Sequence, residues 1–380
     1  MKTEQTYWLQ GRGWQPSVPG KLGYEADLVL VFGSTAALRD KEALQVLRSA
    51  YPEAHLFGCS TAGEIYDTQV LDDSLVVTAI QFEGTTFQGT CIKLDDACDS
   101  FTAGAQLARQ LDPTGLTHVF VLSDGLCVNG SDLVGGLAQH LPPNVAVTGG
   151  LAGDAARFQE TLVLWDDEPR QNTIVALGFY GDHLKVGYGS LGGWDPFGPE
   201  RLVTRSKGNI LYELDGKSAL QLYKTYLGDH VQGLPATALL FPLSLRSEES
   251  TTPVVRTILG IDENEQSMTF AGDLPEGTYA RFMKANFDRL IDGATTAART
   301  SSIAIGTTSP DLAILISCVG RKLVLKQRIE EEVESVREVL GASPVLSGFY
   351  SYGEISPFTP GAKCELHNQT MTITTFSEQV

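Results

Sequence analysis

Three stretches of this chain repeat one hydrophobic pattern. Each opens on an unbroken apolar run of strand length, continues into an amphipathic helical stretch, and closes on a second apolar run that ends in glycine and an acid. The first copy opens at residues 27–33, Asp-Leu-Val-Leu-Val-Phe-Gly, which predicts a strand buried on both faces of a parallel sheet. Ala43, Leu44, Leu47 and Ala50 then recur at helical spacing over 40–50, and 56–65 supplies the closing run through Cys59, Ser60, Thr61, Ala62, Gly63 and Glu64. The second copy opens at 118–124, predicts a helix over 130–140 and closes at 145–154 on Gly149, Gly150, Leu151, Ala152, Gly153 and Asp154. The third opens at 311–318 and predicts a helix over 328–340, with Ile329, Val333, Val336 and Leu340 on one face. It closes at 345–355 through Ser351, Tyr352, Gly353 and Glu354. Asp27 to Gly63 is 36 positions, His118 to Gly153 is 35 and Asp311 to Gly353 is 42, so one supersecondary unit used three times is expected.

Between the second and third copies the pattern changes. Residues 184–190 alternate like a half-buried strand, and 192–199, with Gly192, Gly193, Pro196 and Pro199, read as a turn-rich break. Hairpins are expected from 201–204 to 210–212 and from 253–261 to 268–272, with a helix over 217–227 closed by Gly228. The fold class is therefore α/β: repeated strand–helix–strand units in mixed sheets, with an antiparallel β insertion in the C-terminal domain. The expected organisation is an N-terminal arm over 1–23, a first domain over 24–215 and a second over 216–375.

Composition narrows the partners. The chain has 380 residues, enough for two domains, and a formal net charge of −18 with no compensating basic run. Such a surface repels nucleic acid and anionic membrane, so neither is an expected partner. No stretch approaches the roughly 20 apolar residues of a membrane span, and the first residues lack a signal-peptide core. The six cysteines form no Cys-x-x-Cys pair and several sit in apolar runs, which suits a reducing compartment and predicts a cytoplasmic protein. Neither a phosphate-binding Gly-x4-Gly-Lys-Ser/Thr loop nor a dinucleotide fingerprint is present.

In open α/β sheets, ligands bind beyond the carboxyl ends of the strands. The closing loops fall there, so Ser60, Thr61, Glu64, Gly150, Asp154, Tyr352 and Glu354 are candidate ligand contacts. His367 and Asn368 join them from the terminal Leu-His-Asn-Gln-Thr motif. The carboxylates could bind a cationic group; equally, Glu64 and Glu354 could brace their own loops. An enzyme reading needs a nucleophile, and Cys59 or Cys318 with His367 as base are the candidates, although burial in apolar strands suits a structural cysteine better. No catalytic residue is assigned, and scattered cysteines and histidines predict no metal site.

Taken in order, Phe57 to Ile65, Gly149 to Asp154, Pro196-x-Gly198-Pro199, Leu211 to Leu220, Gly348 to Ile355 and Glu365 to Thr370 resemble the FIST family of bacterial sensory proteins, with paired FIST-N and FIST-C domains. The resemblance covers roughly residues 24–375. It implies a non-catalytic ligand-sensing module in signal transduction, with small metabolites such as amino acids among the ligands. One branch, the NosP-type proteins, implies haem b, nitric oxide sensing and regulation of a histidine kinase. Haem requires an axial ligand in an apolar pocket. His183, at the head of a strand leading to Trp194 and Phe197, and His367 are the candidates; His55, His118, His140 and His230 suit structural or solvated roles.

Overall fold

Each of the three apolar runs is a strand, and each lies in a different sheet. Leu28–Gly33 runs parallel to His55–Ser60, Leu116–Ser123 to Ala146–Leu151, and Leu312–Cys318 to Val345–Ser351. The helices Lys41–Ala50, Gly130–His140 and Ile329–Leu340 connect these pairs. Against the first strand of each pair lies an antiparallel strand: Ser74–Gln81, Thr173–Tyr180 and Met371–Glu378. The computed structural model describes residues 1–379 apart from 22, 24, 95–97, 167, 235, 248–252, 307, 308 and 360.

Strand alternation explains why these runs are apolar without interruption. Leu28, Leu30 and Phe32 share one core with Phe120, Leu122, Ile314, Ile316 and Phe349, so the inner faces of all three sheets meet. Val29 and Val31 point outward onto Ala43 and Leu47 of the first helix. Val119 and Val121 pack outward with Leu133 and Leu137, and Ala313 and Leu315 with Val333 and Val336.

The copies exchange strands in a cycle. After each closing strand the chain crosses to the next sheet: Glu64–Tyr66 pairs with Val345–Ser351, Gly353–Pro357 with Ala146–Leu151, and Val163–Trp165 with His55–Ser60. Three backbone hydrogen bonds mark the crossing. Ala62 N donates to Tyr350 O at 2.8 Å, Gly153 N to Ser60 O at 2.9 Å and Tyr352 N to Leu151 O at 3.3 Å. The chain thus has internal pseudo-threefold symmetry, and the two halves of the sequence are interleaved in space. Lys2–Leu9 and Gly13–Gln15, expected as part of an arm, extend the first sheet.

One glycine occupies the same place in every copy. A Cβ on Gly58, Gly149 or Gly348 would sit 1.7, 1.8 or 1.9 Å from Val31 O, Val121 O or Leu315 O of the partner strand. Counting from these glycines corrects the repeat by one residue. Glu64 and Glu354 both follow their glycine by six positions, whereas Asp154 follows Gly149 by five. Ala155 holds the slot equivalent to the two glutamates.

The insertion is a fourth, antiparallel sheet with its own core around Val203, Leu211, Leu220, Tyr223, Phe270 and Phe282. Two details differ from the sequence pattern. The Pro-rich segment expected as a break lies inside a long strand, Asp195–Lys207, whose register shifts between Phe197 and Arg201, around Pro199. The strand expected over 253–261 divides: Val254–Arg256 pairs with Leu243–Arg246 at one edge of the sheet, and Ile258–Asp262 with Ser267–Phe270 at the other. Among the described residues no helix is long and apolar enough to cross a membrane.

Candidate ligand site

The closing loops converge as the sequence pattern requires, but their acids face protein. Glu64 accepts from Thr61 Oγ1 on one oxygen and from Ser74 N (3.2 Å) and Ser74 Oγ (2.5 Å) on the other. Glu354 repeats this arrangement with Ser351 Oγ (2.6 Å) and with Thr370 N and Oγ1 (3.2 and 3.0 Å). Each carboxyl ties its own turn to the head of the neighbouring antiparallel strand. Asp154, one residue out of register, accepts instead from the amides of Phe158, Gln159 and Glu160 and from the Tyr352 hydroxyl. Ser60 Oγ accepts from Leu162 N at 2.8 Å, and Gly150 packs against Ile316. Lys322 closes the junction from outside, donating to Ala62 O at 2.9 Å. The three acids are at most 1 % exposed. Of the two roles open to them, this geometry is the bracing one.

Burial raises both glutamates, Glu64 to about 7 and Glu354 to about 8, despite the hydroxyl and amide donors and the cations Lys322 and Arg321 that pull the other way. The folded protein therefore keeps protons that the unfolded chain releases near 4.5, and stability falls as pH rises through these values. Buried His118 and His367, lowered to about 3 and about 4 by burial, act oppositely, because their unfolded imidazoles release protons around pH 6.5; that smaller gain is largely complete by about pH 7.5, so the glutamates dominate between pH 6.5 and 8.5. Urea unfolding should lose roughly 2–3 kcal/mol between pH 6.5 and 8.5. The double variant Glu64→Gln, Glu354→Gln should lose much less over the same window; an unchanged slope would assign it to other groups.

Open space lies elsewhere. A cleft of about 1,100 Å³ separates the Gly130–His140 helix and the segment after it from the antiparallel sheet. Val134, Leu141, Tyr188, Leu245, Val254 and Leu366 supply apolar wall; Asp132, Arg256, Asp273, Lys363 and Glu365 supply charge. Two edge strands border it, Val254–Arg256 of the fourth sheet and Cys364–His367 of the second. Arg256 ties these edges by donating from Nη1 to Leu366 O at 2.8 Å. Burial lowers Arg256 to about 10, and burial together with nearby Asp273 raises Asp132. Its walls combine apolar surface with several charged groups, which can both fill and orient a small molecule.

Models of two known domains cover this architecture: the FIST N domain matches residues 27–217 and the FIST C domain residues 219–357. The chain belongs to the FIST family. FIST domains are sensory modules of signal transduction that bind small ligands, rather than catalysts. A relative from Methanocaldococcus jannaschii, itself an uncharacterized protein, is 23 % identical over 333 residues. That match takes in 80 % of this chain, which spans 62 % of the relative's length. The crystal structure of cyanuric acid hydrolase from A. caulinodans aligns with 78 % of this chain and all of its own, at 11 % identity and a TM-score of 0.19, too low to carry an argument.

In this FIST protein the remaining candidates are dispersed. His183 is exposed, beside Gly84, with Nδ1 2.7 Å from Gln379 O. Trp194, expected to wall a pocket with it, instead packs among Met283, Leu290, Val324 and Leu325. His367 is sealed: Nε2 lies 2.6 Å from Ser356 O, the ring is 4.1 Å from Phe358, and Nδ1 has no partner. Both amide atoms of buried Asn368 also lack partners. Cys59 and Cys318 are buried, and burial pushes both thiols up, away from the thiolate a nucleophile needs. Among the described residues no cluster of His, Cys, Asp or Glu is placed to hold a metal ion. Sequence reasoning did not single out the cleft residues. A lone arginine inside the apolar run 253–261 was the available signal for Arg256.

Proposed function

We propose that this FIST protein is a non-catalytic sensor whose ligand occupies the cleft between the Gly130–His140 helix and the antiparallel sheet. The observation that carries this reading is the contrast in space: the cleft is open and chemically mixed, whereas the Gly-acid junction is packed and its acids are satisfied. A ligand there touches two layers at once. It would bias the spacing of the two edge strands that Arg256 ties together, and so alter the surface offered to a partner. The chain would then act cytoplasmically by regulating a signalling protein, of which a histidine kinase is the kind implied by the family resemblance. The test is a methyl-resonance titration with amino acids and benzoate, which places any response in the cleft or at the junction.

Haem-mediated nitric oxide sensing is a narrower reading of the same role, carried by resemblance. It needs an imidazole facing a space of porphyrin size. Neither His183 nor His367 lines the cleft, and each ring has a carbonyl partner, so these residues do not fit haem as they stand. A Soret band that survives desalting after haemin addition, and that His183→Ala or His367→Ala alters, is the result this reading requires.

A further inference from the structure

Among the described residues two arginines are buried, and they are treated differently. Arg321 has Glu332 beside it, with Nη2 donating to the carboxylate at 2.7 Å. Arg256, 7 % exposed, meets only carbonyl oxygens among the described residues: Nε donates to Asp273 O at 3.3 Å, and Nη1 to Leu366 O at 2.8 Å and Val255 O at 3.5 Å. Among the described residues its Nη2 has no hydrogen-bond partner, and Asp273 and Glu365 act on the guanidinium from beyond pairing distance. Buried charges are ordinarily paired. This one stands unpaired in the wall of the cleft.

We propose that Arg256 anchors the carboxylate of a small monocarboxylate ligand whose apolar body fills the cleft. A guanidinium with a free N–H is a strong donor to a carboxylate oxygen, and more so when partly desolvated. Val134, Leu141, Leu245 and Val254 offer the body an apolar surface. Asp132, Asp273 and Glu365 line the same space against two cations, Arg256 and Lys363, so repulsion grows with each further negative charge that a phosphate or a dicarboxylate would bring. The inference rests on the cleft being the ligand site.

Thermal unfolding of the full chain with 10 mM benzoate, benzamide or inorganic phosphate tests it. Benzoate should raise the midpoint by about 2–4 °C, with a smaller shift from phosphate and none from benzamide. Arg256→Gln should abolish the benzoate shift. Ala138→Trp, which narrows the cleft from the opposite wall without touching the bonds of Arg256, should abolish it too. Should Arg256→Gln fail to fold, the benzoate–benzamide comparison and Ala138→Trp still decide. Equal shifts from benzoate and benzamide would overturn the carboxylate anchor and leave the cleft as a site. A benzoate shift retained in Arg256→Gln, or a larger shift from phosphate, would also overturn the proposal. No shift from benzoate or benzamide would overturn both readings.

Discussion

Replacing Arg321 by methionine should lower the stability of this protein by about 3–5 kcal/mol, among the largest single effects the fold offers. Arg321 and Glu332 are both 0 % exposed. The guanidinium donates to Glu332 through Nε and Nη2, to Leu290 O at 2.7 Å, and to Gly192 O and Gln369 O. Glu332 accepts in addition from Ser317 Oγ and Tyr350 OH, each at 2.9 Å. This network fastens the long Phe287–Ile305 helix, the Gly192 turn and the third copy to one another. Without Arg321 a buried carboxylate loses its counter-charge and carbonyls lose their donor. Adding Glu332→Leu should recover at least about 1 kcal/mol, because the uncompensated charge is then gone. Urea titration followed by tryptophan fluorescence reads both variants. A loss below about 1 kcal/mol for Arg321→Met would mean that the pair is not sealed from water.

Alanine at Gly58, Gly149 or Gly348 should be comparably severe, at more than about 3 kcal/mol each or failure to fold. The obstacle is backbone rather than a side chain that can turn aside. The new methyl would lie under 2 Å from a carbonyl oxygen of a paired strand in all three copies. Gly260→Ala is the control: nothing lies within 4 Å of that methyl, and the change should stay within about 0.5 kcal/mol. Similar losses at the three sites are the expected result, since they occupy one position of a repeated unit. A benign substitution at any of them would break the equivalence of the copies.

Much of the fold was legible in the sequence because doubly buried strands carry their pattern openly. The strands Leu28–Gly33, Leu116–Ser123 and Leu312–Cys318, and the helices between the pairs, lie within a residue or two of where periodicity puts them. The Phe287–Ile305 helix was not anticipated. Between Leu290 and Ile305 its buried stripe is Gly293, Ala294, Ala297, Ala298 and Ser301, small residues with little hydropathic contrast. The Met371–Glu378 strand is fully buried over most of its length, yet half of it is threonine and serine, which pattern reading takes for surface. The cyclic exchange of strands is a long-range fact that spacing alone does not carry.

The chemistry was less legible than the fold. Convergence of the Gly-acid loops followed from the repeat, but a motif fixes where an acid lies and not what it faces. Thr61 and Ser74 around Glu64, and Ser351 and Thr370 around Glu354, consume the lone pairs a ligand would need. Arg256 became visible only when the fold set an edge strand of the insertion against the Cys364–His367 edge, more than 100 positions away in sequence.

On the proposed reading the junction holds the fold while the cleft holds the ligand. The most direct measurement is a methyl-resonance titration of the full chain with benzoate, reading which side chains respond. Shifts confined to Val134, Leu141, Leu245, Val254 and Leu366 are expected, with Ile65, Leu151 and Ile355 unmoved. Shifts centred on Ile65, Leu151 and Ile355, or no shift at all in the cleft, would contradict it.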